Sequence, residues 1–165
     1  MAQRNILTKE QPGLYKKSRP VTEFNPRLHQ LLDDMIDTLS TANGVGLAAP
    51  QVGVLRRAVI VLETNVPEDE DESIIELINP EIIEASGEQE GAEGCLSVPG
   101  EFGLVKRPMH VKVRAQNRFG EWFEVEGDGL TARCFCHEID HLEGIVFTSK
   151  AERMLTEEEL QSGEY

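Results

Sequence analysis

From Leu28 to Leu39 the apolar residues Leu28, Leu31, Leu32, Met35, Ile36 and Leu39 recur three and four apart, which gathers them on one face of a helix. Asn25-Pro26 marks its start, an N-cap followed by proline where a missing N–H is harmless, and Asn43-Gly44 supplies the stop. Four later segments are short, β-branched or alternating, and separated by Gly, Pro or Asn: Ala58 to Leu62, Ile74 to Ile78, Met109 to Ala115 and Glu121 to Val125. They predict antiparallel strands. Leu130 to Leu142 has neither Gly nor Pro until Glu143-Gly144, so a second helix is expected there.

Two stretches carry no such pattern. Pro67 to Glu72 is a run of carboxylates that repel one another, read as a solvated loop and not as a calcium site, which needs spaced ligands and a glycine. The tail from Glu152 to Tyr165 opens a polar, helix-like stretch at Thr156-Glu157-Glu158-Glu159 that is expected to fray. With no repeat and no linker, residues 1–165 predict one α+β domain: antiparallel sheets around a central helix, with an amphipathic helix near the N-terminus.

Composition narrows the function. The formal charge is −14, which argues against stable nucleic-acid binding, because phosphate backbones attract Lys and Arg. No apolar run is long enough for a membrane span and no secretory signal is visible, so a cytoplasmic protein without a membrane role is expected. The three cysteines, Cys95, Cys134 and Cys136, are an odd set that suits a reducing compartment better than a disulfide framework.

The chemistry centres on His137-Glu138-Ile139-Asp140-His141. On a helix this H-E-x-x-H pattern sets two imidazoles one turn apart with a carboxylate beside them, the layout for holding a metal and handling the proton of a water. A catalytic site needs a third protein ligand. The metzincin pattern is excluded because Phe147 stands where its last histidine belongs. Two sources remain: a downstream glutamate among Glu157, Glu158 and Glu159, as in a metalloprotease, or Cys95 in Glu93-Gly94-Cys95-Leu96-Ser97. A structural-zinc module built from Cys134, Cys136, His137 and His141 is a third reading, but it crowds four ligands onto one helix and leaves Glu138 without a role. Cys134 shares the helix face of both histidines, whereas Cys136 is assigned to the core. His29 and His110 are read as surface or strand histidines.

Three segments, GVGLAAPQ (Gly44 to Gln51), EGCLS (Glu93 to Ser97) and HEIDH (His137 to His141), together resemble peptide deformylase. The resemblance implies that Cys95, His137 and His141 bind one divalent metal, Fe²⁺ natively, with Zn²⁺, Ni²⁺ or Co²⁺ acceptable to the same donors. It makes Glu138 the general acid and base, and it makes the Gln51 carboxamide and the Leu96 backbone N–H the oxyanion hole. Val45, Gly46, Glu93, Gly94 and Cys134 fall on the substrate side, with Val45 and Cys134 expected to line a methionine pocket. Glu93 is also expected to pair with Arg107 and steady the Cys95 loop. The implied substrates are formylated nascent peptides, met transiently at the ribosome exit by a monomer. Arg133-Cys134-Phe135-Cys136 and Gly100-Glu101-Phe102 depart from the usual pattern, which is expected to alter pocket width and not the chemistry.

Overall fold

A computed structural model of the chain describes residues 3–63 and 73–163. The predicted first helix, α1, spans Pro26–Ala42. Its cap is the expected one, since the Asn25 side-chain oxygen accepts the Leu28 N–H at 3.1 Å. It ends at Asn43, whose left-handed backbone (φ 57°) an asparagine tolerates. Leu28, Leu31, Leu32, Met35 and Leu39 are buried and Ile36 is half-buried. Asp34 and Thr38 are also buried on α1, where they hold the N-terminal segment: Asp34 pairs with Arg4 at 2.9 Å, and the Thr38 oxygen accepts the Arg4 backbone N–H at 2.9 Å.

Among the described residues all strand pairs are antiparallel, apart from an isolated parallel bridge between Arg19 and Arg56. A five-stranded sheet takes the order β1-β2-β3-β6-β7 and a three-stranded sheet the order β4-β5-β8. The strands are β1 Gly46–Ala48, β2 Ala58–Leu62, β3 Ile74–Ser86, β4 Gln89–Cys95, β5 Val98–Arg107, β6 His110–Gln116, β7 Trp122–Asp128 and β8 Arg153–Met154. β2 has its predicted bounds; β6 and β7 are displaced by a residue or a few, and β3 runs on to Ser86. That extension passes Pro80 through a register shift between Ile78 and Glu81, next to Asn79 at φ 51°, which is how a strand accommodates a residue without a donor. Strands β4, β5 and β8 were not anticipated, because their glycine-interrupted or very short sequences lack alternation.

β2 shows how the core is divided. Val59 and Val61 point to one face and pack with Phe135, Ala132 and Leu142 of the second helix, α2 (Leu130–Leu142). Ala58 and Ile60 point to the other and pack with Leu28, Leu32 and Met35 of α1. A strand covered on both sides has no solvent face, so its sequence is continuously apolar. A third cluster, Leu14, Val98, Val105, Val146 and Phe147, fills the space between the three-stranded sheet and the chain beyond α2. α2 is therefore the predicted central helix. Past its end Gly144 lies at φ 74°, and a Cβ there would sit 2.3 Å from the Tyr15 carbonyl oxygen, so only glycine fits where the N-terminal segment crosses.

The tail forms α3, Glu157–Ser162, with a capping box between Thr156 and Glu159. The acidic run Pro67 to Glu72 lies outside the described residues. Among the described residues no helix is long and apolar enough to cross a membrane.

Leu32 is fully buried in the α1 cluster. Leu32→Ala should lower unfolding free energy by about 2–5 kcal/mol in chemical denaturation, and Asn25→Ala by about 1 kcal/mol through the lost cap.

Candidate metal centre

Three elements converge on one face of α2. The helix carries His137, Glu138 and His141 into the interior, at 7%, 4% and 0% exposure. Cys95 ends β4, where the chain turns through Leu96 and Ser97 into β5, with Cys95 opposite Val98. The Cys95 sulfur lies 3.3 Å from His141 Nε2, and the two Nε2 atoms lie 3.2 Å apart. The three donor atoms are all within 4.8 Å of one another.

The donor set fits a divalent cation. His137 Nδ1 meets the Glu93 carboxylate at 2.6 Å, so that nitrogen carries the proton and the Nε2 lone pair faces the cluster. A sulfur and two imidazole nitrogens aimed at one point repel unless a cation or a proton stands between them. Burial opposes charge on His137, yet Glu138, Cys95 and Glu93 outweigh it and hold its pKa well above the ordinary histidine value. Burial, with His137 nearby, pushes His141 well below that value.

Glu93 anchors this arrangement. Its carboxylate accepts from Arg107 at 2.6 and 3.1 Å, from Arg133 at 2.9 Å and from His137 at 2.6 Å. Arg107 reaches on to Asp140 at 2.7 Å. Burial works against the Glu93 charge, but His137 and Arg107 prevail and hold its pKa well below the usual carboxylate range. The expected Glu93–Arg107 pair is thus present, within a larger network. Glu93 borders the cavity with both its oxygens taken by protein groups.

The remaining expected residues assemble around the same point. A cavity of about 440 Å³ is lined by Val45, Gly46, Gln51, Gly94, Leu96, Cys134, His137 and Glu138, among others. Gln51 is 1% exposed, and its carboxamide is fixed at both ends. Its oxygen accepts the Ala48 N–H at 2.9 Å, while its nitrogen donates to Ser97 Oγ at 3.1 Å and toward the Cys95 sulfur at 3.5 Å. A Cβ on Gly46 would stand 2.7 Å from Glu138 Oε2, so the glycine makes room for that carboxylate. Glu138 Oε1 is buried without a hydrogen-bond partner among the described residues, and burial pushes its pKa up to about 7.

Cys134 lines the cavity as a thiol, since burial raises its pKa to about 12, and Cys136 lies in the core as expected. Glu157 and Glu158 are exposed on α3 and Glu159 pairs with Arg153 at 2.6 Å, so none supplies the third ligand. His29 contacts the Arg118 carbonyl at 2.8 Å and His110 contacts Asp128 at 2.6 Å, both apart from the centre. Arg133, Asp140 and Ser97 were missed as site residues. Arg133 alone left a signal, four residues before His137 and hence on the same helix face.

A cysteine sulfur and two imidazoles, with a buried carboxylate at their side and a pocket in front, define a metal-dependent hydrolase of the H-E-x-x-H class. The chain matches the family described as polypeptide deformylase over residues 3–157. It is 54% identical over 161 residues to the peptide deformylase of Caldicellulosiruptor bescii, covering 98% of this chain and 93% of that one. It is 52% identical to that of Caldanaerobacter subterraneus subsp. tengcongensis, covering 98% and 97%. Among solved structures, the peptide deformylase from Thermotoga maritima superposes with a TM-score of 0.85 at 37% identity, covering 92% of this chain and 99% of that one. The chain belongs to the polypeptide deformylase family.

Arg107→Gln leaves Glu93 and Asp140 short of a buried cation. A stability loss of about 3–5 kcal/mol in denaturant titration is expected, together with faster loss of metal on dialysis against a chelator.

Proposed function

We propose that this chain breaks no peptide bond and acts on the formamide: it hydrolyses the N-formyl group of formylmethionyl nascent polypeptides, at the centre formed by Cys95, His137 and His141. The observation that carries the reading is the convergence of those three donors beside Glu138 in a chain of the polypeptide deformylase family. Cys95, His137 and His141 hold one divalent cation, Fe²⁺ natively, with Zn²⁺, Ni²⁺ or Co²⁺ compatible with the same donors. Such a cation supplies Lewis-acid polarisation of the formyl carbonyl and makes water a stronger acid.

The chain's own groups do the rest. Glu138 accepts the proton of the attacking water and returns it to the departing amine, a task suited to a carboxyl whose pKa burial has moved to about 7. The Gln51 carboxamide N–H and the Leu96 backbone N–H donate to the formyl oxygen as charge develops on it. Ala48 and Ser97 fix the carboxamide, and its second N–H, directed at the Cys95 sulfur 3.5 Å away, is the donor that turns to the formyl oxygen when the substrate arrives. β1 is the edge strand of its sheet, which leaves one side to pair with the extended backbone of a peptide. Val45, at the mouth, and Cys134, within, flank the methionine side chain. The enzyme works as a monomer in the cytoplasm, meeting its substrates transiently at the ribosome exit.

Formate release from formyl-Met-Ala-Ser by anaerobically prepared, Fe²⁺- or Ni²⁺-loaded protein tests the reading. Glu138→Ala should retain metal and lower kcat by about 10²–10⁴-fold. Cleavage of the peptide bond without formate would point instead to a metalloprotease. Gly46→Ala should lower kcat with little change in bound metal, since the added methyl displaces the Glu138 carboxylate and not a metal donor.

A further inference from the structure

A second cavity, of about 840 Å³, lies against the start of α1 and shares no residue with the one at the metal centre. Arg27 and Leu28 in the first turn line it, whereas Gly44, past the other end, lines the first cavity. At 1.5 Å per residue, Arg27 and Gly44 are about 25 Å apart along α1. With no lining residue in common, occupation of the second cavity does not depend on the reaction proposed at the first.

Four arginines, Arg4, Arg19, Arg27 and Arg56, line this cavity in a chain of formal charge −14. Arg4 is neutralised by Asp34. Arg19, Arg27 and Arg56 are exposed, and among the described residues none of the three meets a carboxylate. Glu23, the one acid lining the cavity, accepts from the Asn25 side chain at 3.2 Å.

The backbone forces two of these cations together. Arg19 and Arg56 are bridge partners, fixed by the Arg19 N–H to the Leu55 carbonyl at 3.1 Å and the Arg57 N–H to the Arg19 carbonyl at 2.9 Å. Side chains at such paired positions project to the same side, and like charges so opposed are destabilising. An anion between them turns that repulsion into attraction, and the planar guanidinium fork matches the oxygens of a phosphate. Beneath the arginines the floor is apolar, with Val21, Leu28 and Leu31 nearly wholly buried. Its volume falls within the roughly 300–1,000 Å³ of small-molecule sites.

The geometry points to a binding site for a small organic phosphate of nucleoside-monophosphate size, its phosphate between Arg19 and Arg56 and its ring on the Val21, Leu28 and Leu31 floor. Arg27 is a third donor to the same phosphate. A nucleic-acid strand is disfavoured, because its many charges would extend beyond the arginines over an acidic surface.

Calorimetric titration of the metal-loaded protein at low salt with AMP and GMP tests this, with inorganic phosphate and a short oligoribonucleotide as comparators. One site per chain is expected for at least one nucleotide, tighter than for phosphate alone. Arg19→Gln/Arg56→Gln should weaken it by about tenfold or more, while formate release stays unchanged. The proposal is overturned if neither nucleotide binds at millimolar concentration, or if the double variant binds as well as the parent. It is equally overturned if phosphate binds as tightly, if the oligoribonucleotide binds more tightly, or if the nucleotide competes with formylated peptide.

Discussion

A carboxylate with almost no access to water is the constraint on which the metal centre depends. Glu93 is 5% exposed, and a charge so placed persists only when its oxygens are filled by donors of opposite sign. Arg107, Arg133 and His137 fill them, from β5 and from two turns of α2, so one group ties three elements together. The same contact sets which nitrogen of His137 carries its proton and directs the other at Cys95 and His141. Packing and chemistry therefore meet in one carboxylate, two residues before the cysteine whose loop it steadies.

The apolar layers make such a network possible. α2 could not be this polar and this buried unless its other face were secured by Phe135, Ala132 and Leu142 against β2 and β6. α1 closes the opposite face of the same sheet. With the sheet held on both sides, the Cys95 turn and the Gln51 turn are brought to α2 as fixed structures. Ser97 joins them directly by accepting from the Gln51 carboxamide. The site gains preorganisation because its donors sit on buried elements and not on mobile loops.

Local signals disclosed some of this and not the rest. The first helix was legible because cap, stop and a 3.6-residue period coincide in one segment, from Asn25-Pro26 to Asn43-Gly44; the second was legible from its freedom from Gly and Pro up to Glu143-Gly144. β4 and β5 were not, since Gln89–Cys95 and Val98–Arg107 are interrupted by glycines and a proline, and their pairing is decided by each other and by β8. The H-E-x-x-H pair was legible from spacing alone. Spacing left the third ligand open between Cys95 and the tail glutamates, because only the fold brings a distant strand end to the helix; the family resemblance was needed to choose Cys95. Arg133 left only its four-residue spacing from His137, and Asp140 and Ser97 owe their roles wholly to tertiary partners, Arg107 and Gln51, which nothing in their immediate sequence announces.

In the proposed centre Cys95, His137 and His141 act as one ligand set. The electronic spectrum of the Co²⁺-loaded protein tests it most directly, since a thiolate ligand gives an intense near-ultraviolet charge-transfer band and a low-coordinate site gives strong visible bands. Both are expected, with the near-ultraviolet band abolished by Cys95→Ser and unaffected by Cys134→Ser. A spectrum without thiolate charge transfer, or one that depends on Cys134 instead of Cys95, would contradict it.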